Sequence, residues 1–283
     1  MEVATGVYVL PGQHGEIAPA NRGRIANVAF VVGPRGVVVV DTGVSLRQGE
    51  EIIAAVRRVT RRPIRLAIVT HPSQEVVFGA AAFQIRGIPV LLHRNSAALM
   101  TARCGTCLNN LTTALGEVEM VGTRVVTPDR LIDETQSLDI IGRPLVLVAP
   151  SQGSAPGALA VFDPATRTLL AGSLVSIDST PDLRDADGEA WHRGLAVLQA
   201  TQCLHLVPAY GRIGTCGDIR ALDDYFTALE DRVRELLGAR VGLAELAGHA
   251  RLPQFAVWER YEALHIQNAN RVYLRMERAA FGE

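Results

Sequence analysis

At 283 residues and 48% hydrophobic content, the chain has ample material for a sizeable core. Its 28 Lys+Arg, every one an arginine, are balanced by 29 Asp+Glu, so no surplus of positive charge exists to hold a phosphate backbone and nucleic acid is not an expected partner. No apolar run approaches the roughly 20 residues a membrane helix needs, so no membrane insertion is expected.

Residues 6–10 read as a strand close to the N-terminus. Residues 27–32 and 37–40 are β-branched runs joined by Pro34-Arg35-Gly36, which predicts a hairpin. Ser45 can cap a helix over residues 46–59, with Ile52, Ile53 and Val56 on one face. Residues 66–69 read as a buried strand, 78–85 as a helix and 89–92 as another strand. Asn95 or Ser96 then caps a helix running toward Leu115. Further on, 145–148, 158–162 and 168–170 read as strands, with Asp163-Pro164-Ala165-Thr166 turning the last two. A helix over 189–200 and a strand over 204–207 follow, and from about 217 to 280 the pattern is helical, broken by Gly248 and Pro253. Strand pairs flanked by helices in each half imply an α/β fold, a four-layer αββα sandwich, in a single domain over 1–283.

No basic start with an apolar segment and a small-residue cleavage site is visible, which fits a cytoplasmic protein or one whose export signal has been removed. Four cysteines are present: Cys104, Cys107, Cys203 and Cys216. The Cys104–Cys107 spacing suits a redox pair, half a metal site, a tight disulfide or two plain thiols, and the pairing of the four stays open. Cys203 and Cys216 lie too far apart to complete a zinc site with them.

Five short motifs, read in order, resemble the metallo-β-lactamase superfamily. Val38-Val39-Val40-Asp41-Thr42-Gly43 is similar to its strand-to-loop motif, and Thr70-His71 through Gly79 stands where its His-x-His-x-Asp-His zinc loop belongs. The segments 156–162, 171–175 and 207–211 are similar to those that follow its third histidine, carry its metal-bridging Asp and supply its last histidine. Residues 25–33, 77–83, the Cys104/Cys107 pair and 268–278 resemble the quinoprotein relay system zinc metallohydrolases, a group related to hydrolases of sulfur-oxidation clusters. That likeness implies export to the periplasm and a place in a quinoprotein or sulfur-oxidation type pathway.

Carried over position by position, the resemblance leaves little of the metal set. His71 matches the first ligand. Ser73, Glu75 and Val76 stand at the second histidine, the Asp and the following histidine, while Ser154, Ser173 and Tyr210 stand at the third histidine, the bridging Asp and the last histidine. Zinc requires nitrogen, thiolate or carboxylate donors, which neutral hydroxyls and valine do not offer. No cofactor is therefore expected, although His71 and Glu75, with Asp41 near them, could hold a single metal ion weakly. His14, in the Pro11-Gly12-Gln13-His14-Gly15-Glu16 loop, sits in a segment that resembles the flap over the active-site mouth. The expected ligand pocket is thus His14, Asp41, His71, Ser73, Glu75, Ser154, Ser173 and Tyr210. Residues 178–187 read as a solvated acidic loop at the same rim.

Two functions fit this pattern. One is a pseudoenzyme that binds a small molecule or a partner protein. The other is a hydrolase of altered chemistry, acting on ester, thioester or lactam-like substrates with one metal at His71/Glu75, or with Ser73, Ser154 or Ser173 as nucleophile and His71 as base.

Overall fold

Four consecutive valines, Val37 to Val40, are all buried, which shows that this strand is covered on both faces. Val37 and Val39 enter one apolar cluster while Val38 and Val40 enter another, as the two-residue period of a strand demands. The same split holds for Val28 and Phe30 against Ala29 and Val31 on the neighbouring strand. The computed structural model describes residues 1–150 and 153–281.

The first sheet holds, in spatial order, β1 (Glu2–Ala4), β2 (Val7–Leu10), β3 (Val28–Gly33), β4 (Gly36–Val40), β5 (Ile64–Ile68), β6 (Val90–His93) and β7 (Arg130–Ile132). It is antiparallel as far as β4 and parallel beyond. The second sheet is built from β8 (Gln136–Leu138), β9 (Leu145–Val148), β10 (Ala160–Asp163), β11 (Thr168–Ile177) and β12 (His205–Gly211), in the order β12-β11-β10-β9-β8. Helices α1 (Leu46–Val59), α2 (Gln74–Val77), α3 (Ala80–Gln84), α4 (Arg94–Leu115) and α5 (Glu117–Met120) cover the outer face of the first sheet. On the second lie α6 (Gly188–Gln199), α7 (Ile219–Gly238), α8 (Leu246–His249) and α9 (Tyr261–Phe281). Leu66, Ile68, Leu147, Leu159 and Val161 fill the seam between the sheets. The layers are those expected: helices, sheet, sheet, helices.

Local signals behave as read. Pro34 and Arg35 turn the β3–β4 hairpin, with Gly33 opposite Gly36. The Ser45 hydroxyl accepts from the Gln48 amide and starts α1. Three expectations need correction. The cap of α4 is His93, whose Nδ1 accepts from the Asn95 amide, while the Ser96 hydroxyl donates to the Pro156 carbonyl. The helix expected over 78–85 is the shorter α3, Ala80–Gln84, and a separate helix, α2, precedes it, with the bend at Gly79 between them. There a side chain would run its Cβ to 1.8 Å from the Thr42 carbonyl oxygen, so only glycine lets this bend lie against the end of β4. Finally, β11 runs through Ile177, seven residues past the segment expected from its β-branched start.

A disulfide joins Cys203 and Cys216, tying the entry of β12 to the turn before α7. Cys104 and Cys107 are free thiols, so the tight-disulfide reading of that pair does not hold here. Closing a loop of this length restricts the unfolded chain by about 3 kcal/mol. Replacing both Cys203 and Cys216 with serine should lower the free energy of unfolding in guanidinium by roughly that amount. The Cys104→Ser, Cys107→Ser pair, which crosslinks nothing, should not reproduce that loss.

Candidate functional site

Strands β4 and β5 lie side by side and parallel, so the residues that leave their C-terminal ends, Asp41 and Thr70-His71, meet. Asp41 has φ 66°, the left-handed region, which an Asp tolerates better than a branched residue would. Its carboxylate accepts from the Thr70 amide at 2.8 Å and from the Thr70 hydroxyl at 2.9 Å. The same hydroxyl lies 2.8 Å from Nδ1 of His71. Gly172 makes room for this on the facing sheet, since a Cβ there would stand 2.4 Å from the Thr70 hydroxyl.

From His71 the chain of polar groups continues into a cavity of about 350 Å³. His71 Nε2 lies 3.3 Å from the Tyr210 hydroxyl, which lies 3.4 Å from the Ser73 hydroxyl, and Ser73 donates to Glu75. Ser154 and Ser173 hydrogen-bond to each other on the same floor. Thus His71, Ser73, Glu75, Ser154, Ser173 and Tyr210 face one hollow, although they come from β11, β12 and three separate loop or helix segments. Asn27 anchors the Tyr210 side, donating to the carbonyls of Pro208 and Gly211 on either side of that residue.

Two expected pocket residues stand elsewhere. Asp41 is buried beneath the floor and reaches His71 only through Thr70. His14 is exposed, pairs with Glu259, and lines a separate hollow of about 320 Å³ that shares Tyr210 and Arg260 with the cavity. Val76 is packed in the helix-side core, where its carbonyl accepts from Thr42. The acidic loop does form part of the rim, through Pro181, Asp182 and Asp185.

Other contributors carried no signal in the sequence. Arg260, itself at φ 61°, binds Glu16 at 2.6 Å and stacks over the Tyr210 ring at 5.2 Å. Ser176 is buried with no partner for its hydroxyl among the described residues. Cys107 reaches the wall, its thiol donating to the Arg103 carbonyl, while burial and the neighbouring Cys107 push the Cys104 thiol up to about 12. A thiol held that high is no nucleophile at neutral pH.

The zinc pair of the resembled superfamily does not fit this donor set. His71 Nδ1 is committed to Thr70, and apart from His71 and Glu75 the groups at the ligand positions on the floor are neutral hydroxyls. Among the described residues no group of three or more His, Cys, Asp or Glu is arranged to hold a metal ion.

Residues 21–237 match the Metallo-beta-lactamase superfamily, and the chain belongs to it. A metallo-beta-lactamase from Pontibacter korlensis superposes with TM-score 0.65 at 20% identity, covering 80% of this chain and 97% of that one. FIM-1 from Pseudomonas aeruginosa, solved in a mono-zinc form, gives TM-score 0.64 at 18% identity over 80% of this chain and 93% of its own. Among curated proteins, the linear primary-alkylsulfatase of Pseudomonas sp. (strain ATCC 19151) is 22% identical over 217 residues, 65% of this chain. The chain spans 41% of that relative's length. Identities this low establish likeness of fold and nothing finer.

Electrostatics sets the state of the floor. Burial raises Asp41 from 3.8 to about 7, against the hydrogen bonds from Thr70, and burial lowers His71 from 6.5 to about 3. Tyr210 is pushed up by burial and then by Glu75, so it stays a phenol. With Asp41 ionised, Thr70 donates to it and must accept from His71 Nδ1–H, leaving the Nε2 lone pair toward Tyr210. With Asp41 protonated, the relay reverses and Nε2 carries the hydrogen.

These two shifts act on stability in opposite senses. The raised Asp41 contributes stability below about pH 4 that is lost as pH rises through about 7. The lowered His71 contributes stability above about pH 6.5 that is lost as pH falls toward 3. Their contributions nearly offset in the wild-type chain. Asp41→Asn should expose the His71 slope, with stability falling toward acid by an order of 4 kcal/mol. His71→Asn should show the mirror image, falling as pH rises from 4 to 7. Denaturant unfolding from pH 4 to 7.5 measures both slopes; parallel curves for all three proteins would show that burial leaves the two groups unperturbed.

Proposed function

We propose that this protein binds a small molecule in the hydroxyl-lined cavity, without the zinc pair of its superfamily, as a catalytically degenerate member. The observation that carries this reading is the convergence of Ser73, Ser154, Ser173 and Tyr210 with His71 on one hollow, where they satisfy each other instead of a cation. Such hydroxyls can donate to or accept from a ligand, but they do not lower the pKa of a bound water as zinc does. The resemblance in sequence further supports placing the protein in a quinoprotein or sulfur-oxidation type pathway. The Cys203–Cys216 bond supports an oxidising compartment such as the periplasm, because structural disulfides persist there and are rare in the cytosol.

A second reading is favoured by one feature. His71 Nε2, Tyr210 and Ser73 form a continuous chain behind a buried carboxylate, an arrangement that could move a proton during metal-free hydrolysis. The name of the alkylsulfatase relative adds alkyl sulfate esters to the esters, thioesters, lactams and phosphoesters worth assaying.

Elemental analysis after dialysis against equimolar zinc should return substoichiometric metal. One or two tightly held zinc ions per chain would overturn the degenerate-site reading. On the substrate panel, wild-type protein should match His71→Ala at background. Turnover that disappears in His71→Ala would replace the binding reading with the hydrolytic one.

A further inference from the structure

The charges around the cavity do not cancel in pairs. Its lining contains three guanidinium groups, Arg103, Arg184 and Arg260, and four carboxylates, Glu16, Glu75, Asp182 and Asp185. Each arginine is paired: Arg260 with Glu16, Arg184 with Asp182, Arg103 with Asp185. Glu75 is the carboxylate left over, and it has no ion pair among the described residues. It is also the most buried of the four, 7% exposed, with the Ser73 hydroxyl as its hydrogen-bond donor.

A carboxylate has about four acceptor sites, so one hydroxyl leaves most of its capacity unused. Leaving a buried charge under-satisfied is costly, and such a group attracts a cation or a cluster of donors. The Arg260 guanidinium feels the Glu75 charge but makes its ion pair with Glu16 and lies over the face of Tyr210. A second unmet need lies in the same lining, the partnerless hydroxyl of Ser176. Apolar surface from Leu99, Trp191, Ala263 and Leu264 completes the walls.

We propose that the cavity is a site for a primary ammonium carried on an apolar body, with Glu75 as its counter-ion and Ser73 and Ser176 as further hydrogen-bond partners. This rests on the binding reading above and names its ligand class. An ammonium brings three donors and one positive charge, which matches what Glu75 lacks. An anionic ligand, such as a carboxylate or a sulfate ester, would meet Glu75 as a like charge and find every arginine already engaged.

Isothermal titration calorimetry at neutral pH, with hexylamine, 1-hexanol, hexanoate and hexyl sulfate as probes of equal chain length, tests this. Quenching of Trp191, which lines the cavity, reports occupancy independently. Hexylamine should bind at least about tenfold more tightly than 1-hexanol, the scale of one charge-assisted hydrogen bond. Glu75→Gln, which can still take the Ser73 hydrogen, should bring the amine down to the level of the alcohol. Ser176→Ala should weaken the amine severalfold without lowering stability, since its hydroxyl has no partner to lose.

An amine preference that survives Glu75→Gln overturns the proposal, as does tighter binding of hexanoate or hexyl sulfate than of hexylamine. The first result leaves the binding function standing with a different counter-ion, the second with a different ligand. Binding of none of the four probes, with folding verified by circular dichroism, overturns both the proposal and the binding reading beneath it.

Discussion

The link between Asp41 and Thr70 governs this site. One carboxylate just past the end of β4 takes up both the amide and the hydroxyl of Thr70, two residues past the end of β5, and both residues are buried. Hydrogen bonds in such surroundings are strong, and an unmade one is expensive. The link fixes the path of the chain into His71, and Thr70 then holds the imidazole by Nδ1, so that Nε2 can point in only one direction. Gly172 of the second sheet lies against Thr70, so the same few atoms also bring the two sheets into contact beneath the floor of the cavity.

What lies beyond His71 is a floor whose polar groups answer one another. Ser154 bonds Ser173, Ser73 bonds Glu75, and Tyr210 bridges Ser73 to His71. A zinc site is arranged in the opposite way: its donors are kept apart by their charge and brought together only by the cation. Here the side chains hydrogen-bond to one another, and Arg260, paired with Glu16, lies over the face of Tyr210. Tyr210 is too well desolvated to ionise, and His71 too well desolvated to protonate. Among the carboxylates that line the cavity, Glu75 alone has no ion pair among the described residues.

Much of this was legible in the sequence because it rests on local chemistry. The Pro34-Arg35 hairpin, the Ser45 cap and the order of the five motifs each depend on a few adjacent residues, and six side chains named from those motifs line one hollow. Features set by tertiary contact were not legible. Strands β1, β7 and β8 have three residues each, too few to display a period. The pairing of Cys203 with Cys216 depends on where β12 begins relative to α7. Arg260 reaches Tyr210 because of a left-handed residue in a turn that nothing in its neighbours announces. His14 looked like part of the pocket because its loop does approach the mouth, but the imidazole turns outward to Glu259.

Persistence of the Asp41-Thr42-Gly43 motif and of His71 invites the conclusion that catalysis persists as well. The geometry supplies a different reason for their presence. Asp41 ties two strands together through Thr70, Thr42 donates to the Val76 carbonyl at the start of the helical layer, and Gly79 must pass close to the Thr42 carbonyl. Each contact is needed for the loops to lie where they do, whether or not a metal is ever bound. His71 packs at the end of that network, 4% exposed, with one ring nitrogen bonded inward. These contacts give the motif an architectural role that is independent of any metal, so function must be read from the groups that face the hollow.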